Sequence, residues 1–295
     1  MKLIIDAMGG DNAPLEIVKG ALSGQKRWGV DVTLTGDTTA ILQALEACGE
    51  KTLPQGMEIV HTTETVEMCD DPATVFRRKK DTSMGVGLTM LRDGRADAMV
   101  SAGSTGALLT GATLIVKRIR GIRRAAMAPV IPTTTGQAVL IDCGANAECT
   151  PEYLVQFAYL GSYYAHRVLG VERPRVGLLN IGTEDSKGTD LQKETLRWLR
   201  EAHTAGHLNF IGNIEAKEAI KGGCDVIVCD GFSGNVLLKT MEGVGSFAGS
   251  ALKAMFKKNL LTKLAALCVM PGLNAFKARL DPNKVGGTAL IGISR

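Results

Sequence analysis

The sequence predicts a layered α/β fold with a largely parallel sheet. Three observations carry this. Short β-branched runs alternate with amphipathic helical patterns over most of the 295 residues, as in βαβ units. Glycine occurs 35 times, about 12% against a usual ~7%, without any collagen-like period, so it marks many tight turns. The glycine-rich turns fall where strands run into helices, and ligands of parallel sheets bind outside the carboxyl ends of the strands.

Taken in order, Lys2–Asp6 reads as a buried strand and Ala7–Pro14 as its turn. Leu15, Val18, Ala21 and Leu22 give the first helix its inner face, with Pro14 suited to the first helical position. Asp31–Gly36 is a strand, Asp37 the N-cap of a helix over Thr38–Cys48, and Met57–His61 a third strand. Asp71-Pro72 starts a helix ended by Arg77–Lys80; Ser83–Arg92 is helical and Asp97–Ser101 extended. A helix over Ala107–Val116 runs into the basic stretch Lys117–Arg124, followed by strands Met127–Ile131 and Gln137–Asp142. Thr150 caps a helix to about Leu169 with Pro151 at its first position. Strand Arg175–Ile181, helix Asp190–His203, strand Leu208–Ile211, helix Glu215–Lys221 and strand Asp225–Cys229 complete the alternation. With no linker and no repeat, one compact domain over residues 1–295 is expected.

Leu237–Leu280 departs from this pattern as one long helical stretch. Within it Leu252, Met255, Phe256, Leu260, Leu264 and Leu267 can share a face, with Lys253, Lys257, Lys258 and Lys263 around the other side. That suits a helical hairpin packing on the domain or on a second subunit. It also suits a surface helix touching anionic lipid.

Composition narrows the function. Aromatics are 4% of the chain and the net charge is +4, which argues against a nucleic-acid stacking platform. Seven cysteines without a C-x-x-C pair fit a reducing cytoplasm better than a disulfide framework or zinc site. No signal-type N-terminus and no apolar run of about 20 residues is present, so neither export nor a membrane span is expected. The standard dinucleotide fingerprint, the P-loop and the G-x-S-x-G elbow are absent. The four histidines offer no convincing triad or ligand set, and no metal or cofactor is expected.

What remains is a set of strand-to-helix turns: Asp6–Asn12, Ser101–Ala107, Asp142–Asn146, Asn180–Thr189 and Asp230–Gly234. Such turns present free N–H groups and the positive end of a helix dipole, a setting for anions. Acid, amide and glycine chemistry without a covalent nucleophile can bind an oxyanion, polarise a carbonyl and let a bound phosphate attack directly.

The stretches IDAMGGDNAP (Ile5–Pro14), FRRKKDTSM (Phe76–Met84), SAGSTGAL (Ser101–Leu108), DCGAN (Asp142–Asn146), RVGLLNIGTEDSKG (Arg175–Gly188) and DGFSGNVLLKT (Asp230–Thr240) occur in register. Together they resemble the bacterial phosphate acyltransferases of the PlsX family. The resemblance implies a three-layer α/β/α fold like that of the isocitrate and isopropylmalate dehydrogenases and the phosphotransacetylases, with a protruding helical segment over residues 237–280. It implies transfer of a fatty acyl group from acyl carrier protein (ACP) to inorganic phosphate, feeding phospholipid synthesis through a downstream acyltransferase that uses acyl phosphate. It further implies a cytoplasmic homodimer that associates peripherally with anionic membrane, here through Leu260, Leu261, Leu264 and Leu267.

By position in these motifs, the resemblance assigns catalysis to Lys187, holding phosphate, and Asn235, donating to the thioester oxyanion. Taken as an ordinary residue, Lys187 is an exposed loop lysine and Asn235 a helix N-cap. The phosphate and substrate set is Asp6, Gly9, Gly10, Asp11, Ser104, Thr105, Gly106, Asn146, Thr183, Asp185, Ser233 and Gly234; Asp11 is alternatively a cap for the next helix. Arg77, Arg78, Lys79, Lys80, Arg120, Arg123 and Arg124 are candidates for docking the acidic ACP; a solvated helix end is the plainer reading of the first four. Ser104 stands where the family pattern carries asparagine. The family pattern continues past Arg295 through a strand and a final helix, so lower stability and reduced activity are expected of these residues alone. A nicotinamide-dependent dehydrogenase on a similar fold and an inactive membrane-surface scaffold are the other readings.

Overall fold

The computed structural model describes residues 1–258, 262, 265, 269–270, 272 and 287–294. Contacts divide the chain into two compact units, Met1–Gly121 with Ile293–Arg295, and Ile122–Gly292, where the strand–helix alternation suggested one domain.

The first unit is built on four parallel strands in the order β3-β2-β1-β4: β1 Lys2–Asp6, β2 Asp31–Gly36, β3 Met57–His61 and β4 Ala98–Ser101. β2 is buried from Val32 to Gly36, as expected of an inner strand of a covered parallel sheet. Helices α1 (Leu15–Trp28) and α2 (Thr38–Ala47) close one core, in which Val18, Ala21, Ile41 and Leu45 meet Val32 and Leu34. Asp37 caps α2, accepting from Ala40 N at 2.7 Å. The predicted helix from Asp71 shortens to a single turn, α3 (Val75–Arg78). Asp71 folds back locally instead, accepting from Ala73 N at 3.0 Å and Thr74 Oγ1 at 2.8 Å, an alternative that aspartate offers to helical bonding. α4 (Ser83–Arg92) follows, and α5 (Thr105–Gly111) continues as a π-helical turn over Ala112–Val116.

The second unit has a five-stranded sheet in the order β6-β7-β10-β8-β9. Its strands are β6 (Val130–Pro132), β7 (Gln137–Ile141), β8 (Val176–Leu179), β9 (Phe210–Ile214) and β10 (Val226–Val228), all parallel except β6. Pro132 sits on the edge strand, where its missing N–H breaks no inner ladder. β5 (Ala126–Ala128) pairs antiparallel with β11 (Ala289–Ile291), a strand the sequence pattern did not predict. α6 (Pro151–Leu169) lays Leu154, Phe157 and Ala158 on Val139, Ile141 and Val226. A Cβ at Gly161 would stand 2.6 Å from Val226 Cγ1, so glycine sets how closely α6 lies on the sheet. α7 (Asp190–Thr204) and α8 (Ala216–Ile220) complete the crossovers.

α9 (Gly231–Lys257) is the described part of the long helical segment. It begins four residues before the helical pattern at Asn235, because Asp230 caps it. Leu260, Leu261, Leu264 and Leu267 lie outside the described residues, and no described helix is long and apolar enough to cross a membrane.

The cysteines give a direct check of this packing. Burial pushes the thiol of Cys143 up to about 11 and those of Cys149 and Cys224 to about 12, and lifts Cys229 well above its ordinary value. Cys69 is exposed. Because the thiolate is the nucleophile, iodoacetamide at about pH 8 should label Cys69 and spare these four until the protein is unfolded. Peptide mass spectrometry reads the outcome, and labelling of native Cys229 would contradict the packing.

Candidate active site

In the first unit the turns that follow the adjacent strands β1 and β4 meet. Asp6 is 1% exposed. Its Oδ1 accepts from Ser83 Oγ at 2.6 Å and Met8 N at 3.3 Å, and its Oδ2 from Ser101 Oγ at 2.7 Å. Asp6 thus braces both turns against α4 and has no open face for substrate. A Cβ at Gly9 would lie 2.6 Å from Asp6 Oδ2 and 2.8 Å from Gly103 N, so glycine is what lets the two turns approach. Gly10 takes φ +104°, a conformation that side chains resist. Asp11 is exposed, and α1 starts behind Pro14 without a side-chain cap, so Asp11 does not cap it. Ser104 is buried and caps α5, accepting from Ala107 N at 3.4 Å; Thr105 and Gly106 are exposed.

In the second unit β7, β10 and β8 are parallel neighbours, so their carboxyl ends share one edge. Asp142 follows β7 and is fully buried. Its Oδ1 accepts from the N–H groups of Met127 (2.8 Å), Cys143 (2.7 Å) and Ala145 (3.4 Å). Its Oδ2 accepts from Asn146 N (2.6 Å) and Asn146 Nδ2 (3.0 Å). Burial pushes this carboxyl above its ordinary value, and the N–H groups of Met127, Asn146 and Cys143 pull the other way. All these partners are donors, so the pocket is built for the carboxylate. Asn146 also donates to Ala125 O at 2.8 Å; its amide NH₂ is spent on the scaffold.

Asp230 ends the β10 turn and accepts from Ser233 N at 2.8 Å and Ser233 Oγ at 2.9 Å, so the Ser233 hydroxyl is held in the cap. Gly231 N donates to Asn146 O at 2.7 Å. A Cβ at Gly234 would stand 2.0 Å from Asp142 O. These contacts seat the first turn of α9 on the Asp142 loop. Asn235 then lies inside the helix, not at its N-cap, and is exposed. A Cβ on Gly144 would be 3.8 Å from Asn235 Cγ.

The loop after β8 carries Lys187. Lys187 N donates to Glu184 O at 3.1 Å, and Asn180 Nδ2 donates to Lys187 O at 3.2 Å. Its stem crosses Gly182, where a Cβ would meet Lys187 Cγ at 2.9 Å. The residue is exposed, and among the described residues its ammonium has no carboxylate partner. Thr183 is exposed beside it. Asp185 is taken by Arg200 of α7 in a two-pronged pair, Nη2 to Oδ1 at 2.6 Å. The guanidinium holds its carboxyl below the ordinary value. A depression of about 710 Å³ along α7, lined by Asp185, Lys193, Leu196, Arg197 and Arg200, includes neither Lys187 nor Asn235.

The basic clusters separate on inspection. Arg77, Arg78 and Lys80 are exposed, with Arg78 3.8 Å from Asp70. Lys79 is held by Asp70 at 2.6 Å and Thr65 O at 3.0 Å. Arg120 is exposed, Arg123 pairs with Glu152 at 2.9 Å, and Arg124 stacks over Tyr153 at 5.6 Å. Ser83, Ser101, Asp142 and Asn180 shape the turns from within the recognised motifs without having stood out as site residues. Asn213 lies outside them and two residues past the strand expected over Leu208–Ile211; β9 runs on to Ile214 and takes it in.

A sequence profile of the family described as fatty acid synthesis protein matches residues 1–295. A phosphate acyltransferase from Alkaliphilus oremlandii is 46% identical over 293 residues, which cover 99% of this chain and 86% of that protein. One from Thermoanaerobacterium thermosaccharolyticum is 42% identical over 295 residues, covering 100% and 86%. Among solved structures, a phosphotransacetylase from Streptococcus pyogenes is similar with a TM-score of 0.64 over 83% of this chain and 82% of that one. Its 20% identity makes that a likeness of fold. With the profile match running from end to end, the chain belongs to the fatty acid synthesis protein family, the PlsX phosphate acyltransferases.

Proposed function

We propose that this acyltransferase moves a fatty acyl group from acyl-ACP to inorganic phosphate, giving acyl phosphate and free ACP for phospholipid synthesis. One observation carries the reading. The adjacent parallel strands β10 and β8 lead at one edge into an exposed amide, Asn235, and an exposed ammonium with no carboxylate partner among the described residues, Lys187. An oxygen of hydrogen phosphate attacks the thioester carbonyl carbon, and the C=O electron pair moves onto oxygen. The Asn235 amide donates to that oxyanion, and Lys187 offsets the phosphate charge. As the carbonyl re-forms the C–S bond breaks, and the phosphate proton ends on the ACP thiol. No protein nucleophile enters; orientation of the two substrates supplies the rate.

Thr183, exposed beside Lys187 on the same loop, is a further member of the substrate set in this reading. Arg77, Arg78, Lys80 and Arg120 offer exposed charge to acidic ACP. Phe232, Val244 and Phe247 are 67%, 61% and 74% exposed along α9, which supports a homodimer contact there and a peripheral seat on anionic membrane from a cytoplasmic protein. Its product would pass to an acyltransferase that consumes acyl phosphate. The likeness to a phosphotransacetylase supports the three-layer α/β/α arrangement shared with isocitrate and isopropylmalate dehydrogenases.

Hydroxylamine trapping of acyl phosphate from acyl-ACP and phosphate tests the reaction. Lys187→Ala should lower kcat/KM by about 100-fold, the scale of one lost transition-state contact, with its melting temperature unchanged. Full activity in Lys187→Ala would remove the assigned role, and no acyl phosphate from the unaltered protein would remove the reaction.

A further inference from the structure

We propose that Asn213 is a positioning residue for Lys187; the inference rests on the role given to Lys187 above. Asn213 lies on β9, one strand beyond the strand that leads to Lys187, and is 9% exposed. Its Nδ2 donates to Glu184 O at 3.1 Å, the same carbonyl that accepts from Lys187 N at 3.1 Å. Asn180 grips the other end of the residue through Lys187 O at 3.2 Å. The lysine backbone is therefore clamped from both neighbouring strands, Asn180 acting directly and Asn213 through Glu184. A carbonyl partner fixes which amide atom faces it, because only the NH₂ can donate.

The other half of the same amide argues that this bond is retained for function. Asn213 Oδ1 is buried without a hydrogen-bond partner among the described residues. A buried acceptor left unpaired is destabilising, and native proteins hold few of them. An apolar residue of similar size would remove that cost, so the asparagine is worst for stability where it is most useful for holding the loop. Loop placement matters to catalysis because an ångström of displacement at a reacting group costs about 100-fold in rate.

The test is a double-mutant cycle read by hydroxylamine trapping, with melting temperatures measured alongside. Asn213→Leu should melt no lower than the unaltered protein and lose about 10–100-fold in kcat/KM, with a raised KM for phosphate. In a Lys187→Ala background the same change should cost less than about 2-fold, since the group it positions is gone. Asn213→Thr, a good strand former without the amide reach, takes its place if the leucine protein does not fold. Equal losses in both backgrounds, or a loss that follows the melting temperature, would make Asn213 merely structural. Full activity in Asn213→Leu overturns the proposal while leaving Lys187 in place. Full activity in Lys187→Ala alone brings down the underlying assignment and this inference with it.

Discussion

Asp142→Ala is expected to lower stability by about 3–5 kcal/mol, the scale of breaking a buried hydrogen-bond network with several donors. The carboxylate gathers N–H groups from Met127, Cys143, Ala145 and Asn146. Cys143 N keeps Met127 O at 3.1 Å, and alanine takes the carboxylate acceptor from the others, each worth roughly 1–3 kcal/mol when left unpaired. Thermal melting should fall by roughly 10 °C at a few degrees per kcal/mol for a unit of this size. Asp142→Asn is the sharper probe. Both carboxyl oxygens face only donors, so either orientation of the new amide sets an NH₂ against an N–H. It should lose about 2 kcal/mol or more, the worth of hydrogen bonds to a charged group. If Asp142→Asn melts like the unaltered protein, the folded carboxyl is neutral and the account of this loop fails. Because the loop carries Asn146 O, which accepts from Gly231 N at 2.7 Å, activity should fall together with stability.

The parallel sheets were legible because β-branched runs such as Val226–Val228 and helical faces such as Val18 with Ala21 follow different periods. The turns were legible too, since glycine and aspartate at strand ends announce caps. The role of each polar residue within them was not. Asp6, Asn146 and Ser233 stand in strand-to-helix turns of the same kind as those that carry Lys187 and Asn235, yet their side chains are bound to neighbours in the scaffold. Whether an acid or amide faces inward depends on partners distant in sequence, as Ser83 is from Asp6 and Ala125 from Asn146. The same holds for Lys79, which a run of four basic residues hides and Asp70 claims. β11 is only three residues long and gains its pairing from β5, far away in the chain, so no local period could reveal it.

Gly234→Ala should act in the opposite direction from Gly243→Ala on the same helix. Both positions are helical, and in an open helix alanine is better than glycine by roughly 0.5–1 kcal/mol because it restricts the unfolded chain. Gly243 has nothing within 4 Å of an added Cβ, so that substitution should raise stability by about this amount. At Gly234 the added atom would lie 2.0 Å from the backbone oxygen of Asp142 and 2.9 Å from Cys229 Sγ. Neither neighbour is a flexible side-chain end: Asp142 is locked by its N–H partners, and Cys229 is buried at the end of β10. The helix must therefore lift, at a cost of about 3 kcal/mol or more for overpacking a filled site. Lifting α9 also withdraws Asn235, the next residue, from its place beside Gly144, so kcat/KM for acyl phosphate formation should fall by about 100-fold. Urea unfolding and the trapping assay on the two alanine proteins measure both effects side by side. Equal behaviour of the pair would mean that α9 does not rest on the Asp142 loop, and the geometry assigned to Asn235 would have to be abandoned.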